Sequence, residues 1–255
     1  MSNQKITVAL VHGAFADSSS WNTVIDRLGS GSAPLTAAHG EVPCDIVAIA
    51  NPLRSLAGDA AYVRDVLESI EGPIVLVAHS YGGMVITEAA AGLDSVVALV
   101  YVGAFAPDTG ESAFGLSVKF PGSTLADALK AYPVSTGGDE FAIRTDAFHH
   151  QFAADVSEHQ TALMAVTQRP ATQAALSDEL QTERPPWKTT PTWFVFGDQD
   201  LNIPVALERF LADRADARGA REVPGASHAV SVSRPDAVAE TILAAVSATV
   251  LQPSA

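Results

Sequence analysis

The chain has 255 residues, 47% of them hydrophobic, enough to bury one large core and to fit a single domain carrying an insertion. Lys and Arg number 15 against 29 Asp and Glu, for a formal net charge of -14. Such a surface repels phosphate backbones and anionic lipid headgroups, which argues against nucleic acid and membrane surfaces as partners and leaves a small-molecule substrate.

The first apolar run, 6–11 (ITVALV), is too short for the apolar region of a signal peptide and leads straight into His12-Gly13. No stretch approaches the roughly 20 apolar residues of a membrane span, so a cytoplasmic location is expected. Residues 29–43 are rich in Gly, Ser and Pro and read as a long loop. The single cysteine, Cys44, excludes an internal disulfide. Beside an apolar run it reads as a small packed residue rather than a reactive thiol. Further apolar runs follow at 45–50 (DIVAIA), 74–78 (IVLVA), 96–102 (VVALVYV), 192–196 (TWFVF) and 220–223. Unbroken runs, rather than in/out alternation, mark strands covered on both faces, as in a parallel sheet. Helical patterns over 57–69 and 82–91 lie between them, and Pro204 and Pro235 stand where first helical turns would begin. Strands alternating with helices give an α/β fold with a mainly parallel sheet flanked by helices.

The alternation breaks at 107–190, where the patterns are helical and no convincing strand occurs. This segment carries Phe114, Phe120, Tyr132, Phe141, Phe148, Phe152, Met164 and Trp187. It reads as a helical cap inserted into a core made of 1–106 and 191–255.

Chemistry enters at Ala78-His79-Ser80-Tyr81-Gly82-Gly83, after one strand and before a helix. That is the context of the nucleophile elbow Gly-x-Ser-x-Gly, with Ala78 in place of the first glycine and still small. A serine hydroxyl is a weak nucleophile and needs an adjacent base, and after an elbow the chain order is Ser, then Asp or Glu, then His. Gly197-Asp198-Gln199-Asp200 follows one strand, and Pro224-Gly225-Ala226-Ser227-His228 follows the next. Ser80 is therefore read as nucleophile, His228 as general base and Asp200 as the acid that orients it. Asp198 sits in the tight part of its turn, where Asp commonly caps backbone N–H groups. The oxyanion would be held by the backbone N–H groups of Tyr81 and Ala14, the latter in the loop after the first strand. His12 reads as structural, and His79 should point away from the nucleophile. Phe15, Phe114, Phe148 and Trp187 are candidates for the substrate wall. His149, His150 and His159 lack a ligand spacing, so no metal is expected. The absence of a Gly-x-Gly-x-x-Gly or Walker-type loop gives no sign of a nucleotide cofactor.

His12-Gly13-Ala14, 78–83, 197–200 and 225–228 together resemble the α/β-hydrolase superfamily, over nearly the whole chain. The segment Gly103-Ala104-Phe105-Ala106-Pro107 and the Ser227-His228-Ala229 context resemble bacterial esterase-like relatives of the plant methylesterase and hydroxynitrile lyase group. The resemblance implies a helical cap, no cofactor, and ester, thioester or related acyl substrates. The spacing from Gly197 through Asp200 to Pro204 also matches the family pattern around the acid. Hydrolysis of a small, largely apolar carboxylic ester through an acyl-enzyme is the leading expectation. A cofactor-free perhydrolase or a carbon–carbon hydrolase would use the same triad. Cyanohydrin-cleaving members carry a lysine after the triad histidine and a threonine at the position of Gly13, where this chain has Ala229 and Gly13. A non-enzymatic ligand receptor is disfavoured by an intact set of triad residues.

Overall fold

The apolar runs at 6–11, 74–78, 96–102 and 192–196 become strands because both of their faces are covered, whereas the one at 220–223 is mostly exposed. The computed structural model describes residues 5–29, 35–37, 40–42, 44–135 and 137–250. In β1 (Ile6–Val11), Ile6, Val8 and Leu10 pack into the core on one side of the sheet, while Ala9 and Val11 pack into the core on the other. After α1 (Asn22–Arg27) comes a short antiparallel hairpin, β2 (Leu35–Ala37) and β3 (Gly40–Val42). It corrects part of the long loop expected over 29–43; residues 30–34, 38–39 and 43 of that stretch lie outside the described residues. Three paired residues on each side suffice for an antiparallel hairpin, so a Gly-, Ser- and Pro-rich composition does not forbid one.

The alternation then holds through β4 (Cys44–Ile49), α2 (Leu56–Glu68), β5 (Ile74–Ser80), α3 (Gly82–Ala89) and β6 (Val96–Ala104). Ser55 caps α2 by accepting from the Gly58 N–H. Cys44 opens β4 in the buried core, and burial pushes its thiol up to about 11, which keeps it protonated near neutral pH.

Between β6 and β10 lie α4 (Ala113–Ser117), α5 (Leu125–Ala128), β7 (Leu129–Pro133), β8 (Asp139–Ile143), α6 (Thr145–Phe152), α7 (Glu158–Thr167), β9 (Ala171–Thr172) and α8 (Gln173–Ser177). The segment is therefore not all helical. It holds a three-stranded antiparallel sheet in the order β7-β8-β9. Strand β7 shows neither an apolar run nor a buried face, so pairing with β8 holds it in place. A strand held this way has no hydrophobic periodicity to read.

The core resumes with β10 (Thr192–Gly197), α9 (Val205–Arg214), β11 (Gly219–Val223), α10 (Val230–Ser233) and α11 (Pro235–Val250). Pro204 is the N-cap of α9 rather than part of its first turn, whereas Pro235 opens α11. The six strands run parallel in the order β11-β10-β6-β5-β1-β4. The chain moves from β1 out to β4, returns to β5 and then builds in the other direction. The C-terminal ends of β1 and β5 thus flank the switch point, where ligands bind in open α/β sheets. No helix among the described residues is long and apolar enough to cross a membrane.

Candidate active site

Ser80 ends β5 at a backbone φ of 55°, in the left-handed region that a non-glycine residue rarely occupies. The strand turns into α3 within two residues. A Cβ on Gly82 would stand 2.7 Å from the Val11 carbonyl oxygen, so any side chain there would push β1 from the elbow. Gly13 is held still closer: a Cβ would lie 2.6 Å from Ser80 Cβ. The loop after β1 therefore runs directly against the serine. The Phe15 N–H in that loop donates to the Arg169 carbonyl at 3.0 Å, whereas the Ala14 and Tyr81 N–H groups make no such bond among the described residues. Both residues border the same cavity as Ser80.

Ser80, Asp200 and His228 come together. His228 Nδ1 lies 2.6 Å from Asp200 Oδ2, and His228 Nε2 lies 3.0 Å from Ser80 Oγ. Asp200 Oδ1 accepts from the backbone N–H groups of Asn202 and Ile203 at 2.7 and 2.9 Å. A carboxylate so fixed accepts from Nδ1–H, which leaves the Nε2 lone pair facing the serine hydroxyl. Asp198 does not reach this site. It accepts from the Gly225 N–H at 2.7 Å, a contact to the loop after β11 rather than a cap of its own turn.

Beside Ser80 opens a cavity of about 300 Å³. Its walls include Phe15, Phe105, Phe120, Leu125, Leu176 and Ile203, and no charged residue lines it. Phe114 in α4 and Val118 just after it line the cavity and are 60% and 65% exposed, which places them at its mouth. Phe15 and Phe114 thus stand where a substrate wall is expected. Phe148 and Trp187 do not. Phe148 is fully buried and stacks on Phe152, and Trp187 points its ring nitrogen at the Pro107 carbonyl, 2.7 Å away. Large aromatics in this segment serve packing as well as the cavity, and composition alone does not separate the two uses.

Residues 8–241 match the model of the Alpha/beta hydrolase family. The chain belongs to that family. Its fold is similar to that of polyneuridine aldehyde esterase, with a TM-score of 0.75 and 19% identity over 94% of this chain and 99% of that one. It is likewise similar to a pyrethroid hydrolase from Sphingobium faniae JZ-2 (TM-score 0.72, 18% identity, 97% and 100% covered). A methylesterase from Arabidopsis superposes with a TM-score of 0.72 at 16% identity, with 95% and 99% covered. In sequence, 63 residues are 44% identical to a carbendazim hydrolyzing esterase of Nocardioides sp. (strain SG-4G). That match spans 23% of this chain and about a quarter (26%) of the relative.

Several buried polar groups of this hydrolase hold the site without entering the cavity. Tyr81 sends its hydroxyl 2.9 Å to Asp59 Oδ2 on α2, which ties down a residue that borders the cavity. Burial raises both groups, the phenol well above its usual range. His12 is buried with Nε2 accepting from the Asn51 N–H, so Nδ1 carries the proton toward the Gly13 carbonyl. Burial lowers its pKa to about 4, which keeps it neutral and structural. His79 points away from Ser80: it donates from Nε2 to the His228 carbonyl at 3.0 Å, and burial holds it well below the usual histidine range. Asp155 accepts from Ser227 Oγ at 2.5 Å, beside His228, and His149 meets the Val156 carbonyl at 3.0 Å. The Phe152 ring stands edge-on to His228 with centroids 4.9 Å apart. Asp59 and Asp155 escape a sequence reading because each acts across more than 20 residues, with no local pattern.

Glu208 on α9 makes one testable cost visible. It is fully buried, and neither carboxyl oxygen has a hydrogen-bond partner among the described residues. Burial, followed by the charge of Asp200, pushes its carboxyl well above the usual carboxylate range. A raised folded pKa means that its contribution is fully present below the unfolded value of about 4.3 and is lost as pH rises through the folded value. The loss runs at about 1.4 kcal/mol per pH unit within that window. Glu208→Gln is expected to raise the melting midpoint at neutral and alkaline pH and to give no advantage near pH 4. Thermal melts of both proteins from pH 4 to 9 check this; parallel curves would show that Glu208 does not titrate differently on folding.

Proposed function

We propose that this protein is a serine carboxylic ester hydrolase acting on small, largely apolar esters through an acyl-enzyme at Ser80. The observation that carries this reading is the continuous hydrogen-bonded line Asp200–His228–Ser80 ending in an uncharged cavity. Relatives named as esterases support it.

His228 Nε2 takes the hydroxyl proton as Ser80 Oγ attacks the ester carbonyl. The oxyanion forms against the N–H groups of Ala14 and Tyr81, each such donor being worth about 10²–10³ in rate. The intermediate collapses as His228 returns the proton to the departing alcohol, leaving the acyl group on Ser80. Water then attacks with His228 again as base, the acid departs, and Ser80 regains its proton. Asp200 holds the imidazole in the required tautomer and stabilises its charged form.

A cavity of about 300 Å³ lies at the lower end of ligand sites, which span about 300–1,000 Å³, and so fits a small substrate. Without a cation in its wall it disfavours anionic esters. Residues 107–190 act in this reading as the cap that supplies the outer wall. The test is a panel of neutral and anionic esters of graded acyl and alcohol size, run beside a fluorophosphonate probe. Turnover of short neutral esters with probe attached at Ser80 is the expected result. Absence of ester turnover, or labelling at another residue, would refute it.

The cap wall makes a separate prediction. Phe114→Ala opens the mouth and is expected to change the ranking of long against short acyl esters several-fold while Ser80 labelling persists. Phe148→Ala empties a sealed site and is expected to cost about 3–5 kcal/mol of stability. Relative kcat/KM values and melting midpoints for the two variants distinguish wall from packing.

A further inference from the structure

The cavity wall contains one buried polar side chain that the ester chemistry leaves unused. Asn202 lines the cavity and is 3% exposed. Among the other polar side chains there, Ser117 donates its hydroxyl proton to the Phe114 carbonyl, and Ser123 is only half-buried. The orientation of the Asn202 amide follows from its neighbours. The Leu201 carbonyl can only accept, so the Gln151 atom 2.9 Å from it is the donor Nε2. The same nitrogen lies 2.8 Å from Asn202, which must present Oδ1 to it. Thr124 Oγ1 donates to Gln151 Oε1 at 2.9 Å and fixes the far end. Asn202 Nδ2 is therefore turned away from Gln151, and no group among the described residues accepts from it. The Asn202 backbone is separately committed to Asp200 Oδ1.

We propose that Asn202 is a specificity-determining residue: its Nδ2–H donates to an uncharged acceptor that the substrate carries outside the reacting ester group. Ketone or ether oxygens and ring nitrogens fit. A carboxylate does not, because no cation lines the cavity to offset its lost hydration. This inference rests on the serine esterase reading and narrows its substrates to esters with a second, neutral acceptor. A ligand that fills the cavity without an acceptor covers this donor and leaves it unpartnered, so it is discriminated against.

The test compares kcat/KM within pairs of esters matched in size, one carrying a ketone or ring nitrogen and the other carbon in its place. One pair carries the acceptor in the acyl part and another in the alcohol part. The wild type is expected to prefer the acceptor-bearing member by about 10-fold or more in at least one pair. Asn202→Leu removes the donor and is expected to bring that ratio to within about 2-fold of unity. A ratio does not depend on how much protein is folded, and Asn202→Ala provides the same comparison if the Leu variant does not fold. A wild-type ratio near one in both pairs, or a ratio untouched by removal of the amide, overturns the inference. Ester turnover that survives Ser80→Ala would sink the esterase mechanism as well; Ser80-dependent turnover with unchanged ratios sinks the role of Asn202 alone.

Discussion

Ser80→Ala is expected to lower kcat for ester hydrolysis by about 10⁴–10⁶ while the protein stays folded. In the proposed mechanism the variant loses the oxygen that attacks the carbonyl and becomes acylated. Asp200, His228 and the proposed N–H donors of Ala14 and Tyr81 remain, but without the nucleophile they have no covalent step to assist. The residual rate is that of water acting beside an intact oxyanion site. The fold should tolerate the change, because Ser80 Oγ makes one side-chain bond, to His228 Nε2, and Ala occupies less space. The strained φ of 55° is common to both residues. Steady-state kinetics, a melting curve and probe labelling are the measurements. Near-normal turnover in a folded Ser80→Ala protein would mean that this serine is not the nucleophile.

Asp200→Asn is expected to cost up to about 10⁴ in kcat, and Asp198→Asn to leave kcat within about 2-fold. The asymmetry is geometric. Asp200 Oδ1 faces two backbone N–H groups, so an Asn there keeps its oxygen on them and turns its NH₂ toward His228. Two donors then face each other unless His228 moves its proton to Nε2, and that tautomer cannot take the proton of Ser80. Asp198 is partly exposed and accepts one backbone N–H, from Gly225, which an amide oxygen also accepts. Its replacement should cost at most about 1 kcal/mol of stability. A collapsed kcat in Asp198→Asn beside a near-normal one in Asp200→Asn would show that the other carboxylate serves the histidine.

The middle of the parallel sheet was legible because burial on both faces writes itself into β1, β5, β6 and β10 as unbroken apolar runs, whereas the edge strand β11 is mostly exposed. The meeting of residues 80, 200 and 228 was legible because each stands at or beyond the C-terminal end of a parallel strand, and parallel strands bring those ends to one edge. Neither rule reaches the segment between β6 and β10. Strand β7 is mostly exposed and contains Pro133, and β9 has two residues, so their pairing is decided by the tertiary structure. Nor could an aromatic count separate Phe114 at the cavity mouth from Phe148 in the packing beneath. Glu208 and Asn202 carried no signal, since each matters through what the fold encloses around it.

The inserted segment is fastened to the rest of the chain through its own backbone as well as through side chains such as Gln151 and Asp155. The Phe15 N–H binds the Arg169 carbonyl, the Ala229 N–H binds the Phe152 carbonyl, and the Thr172 N–H binds the Leu53 carbonyl. Main-chain attachments of this kind constrain the path of the segment without fixing the side chains at those three positions. If the cavity holds an ester as proposed, new acyl or alcohol preferences can arise through point substitutions at cavity-lining positions such as Phe114 and Val118, with the backbone path undisturbed. A change of length between Phe152 and Arg169 would instead displace both loops together. For a designer who wishes to retarget this scaffold, residue identity at the exposed cavity mouth is the adjustable variable and loop length is the one to leave alone.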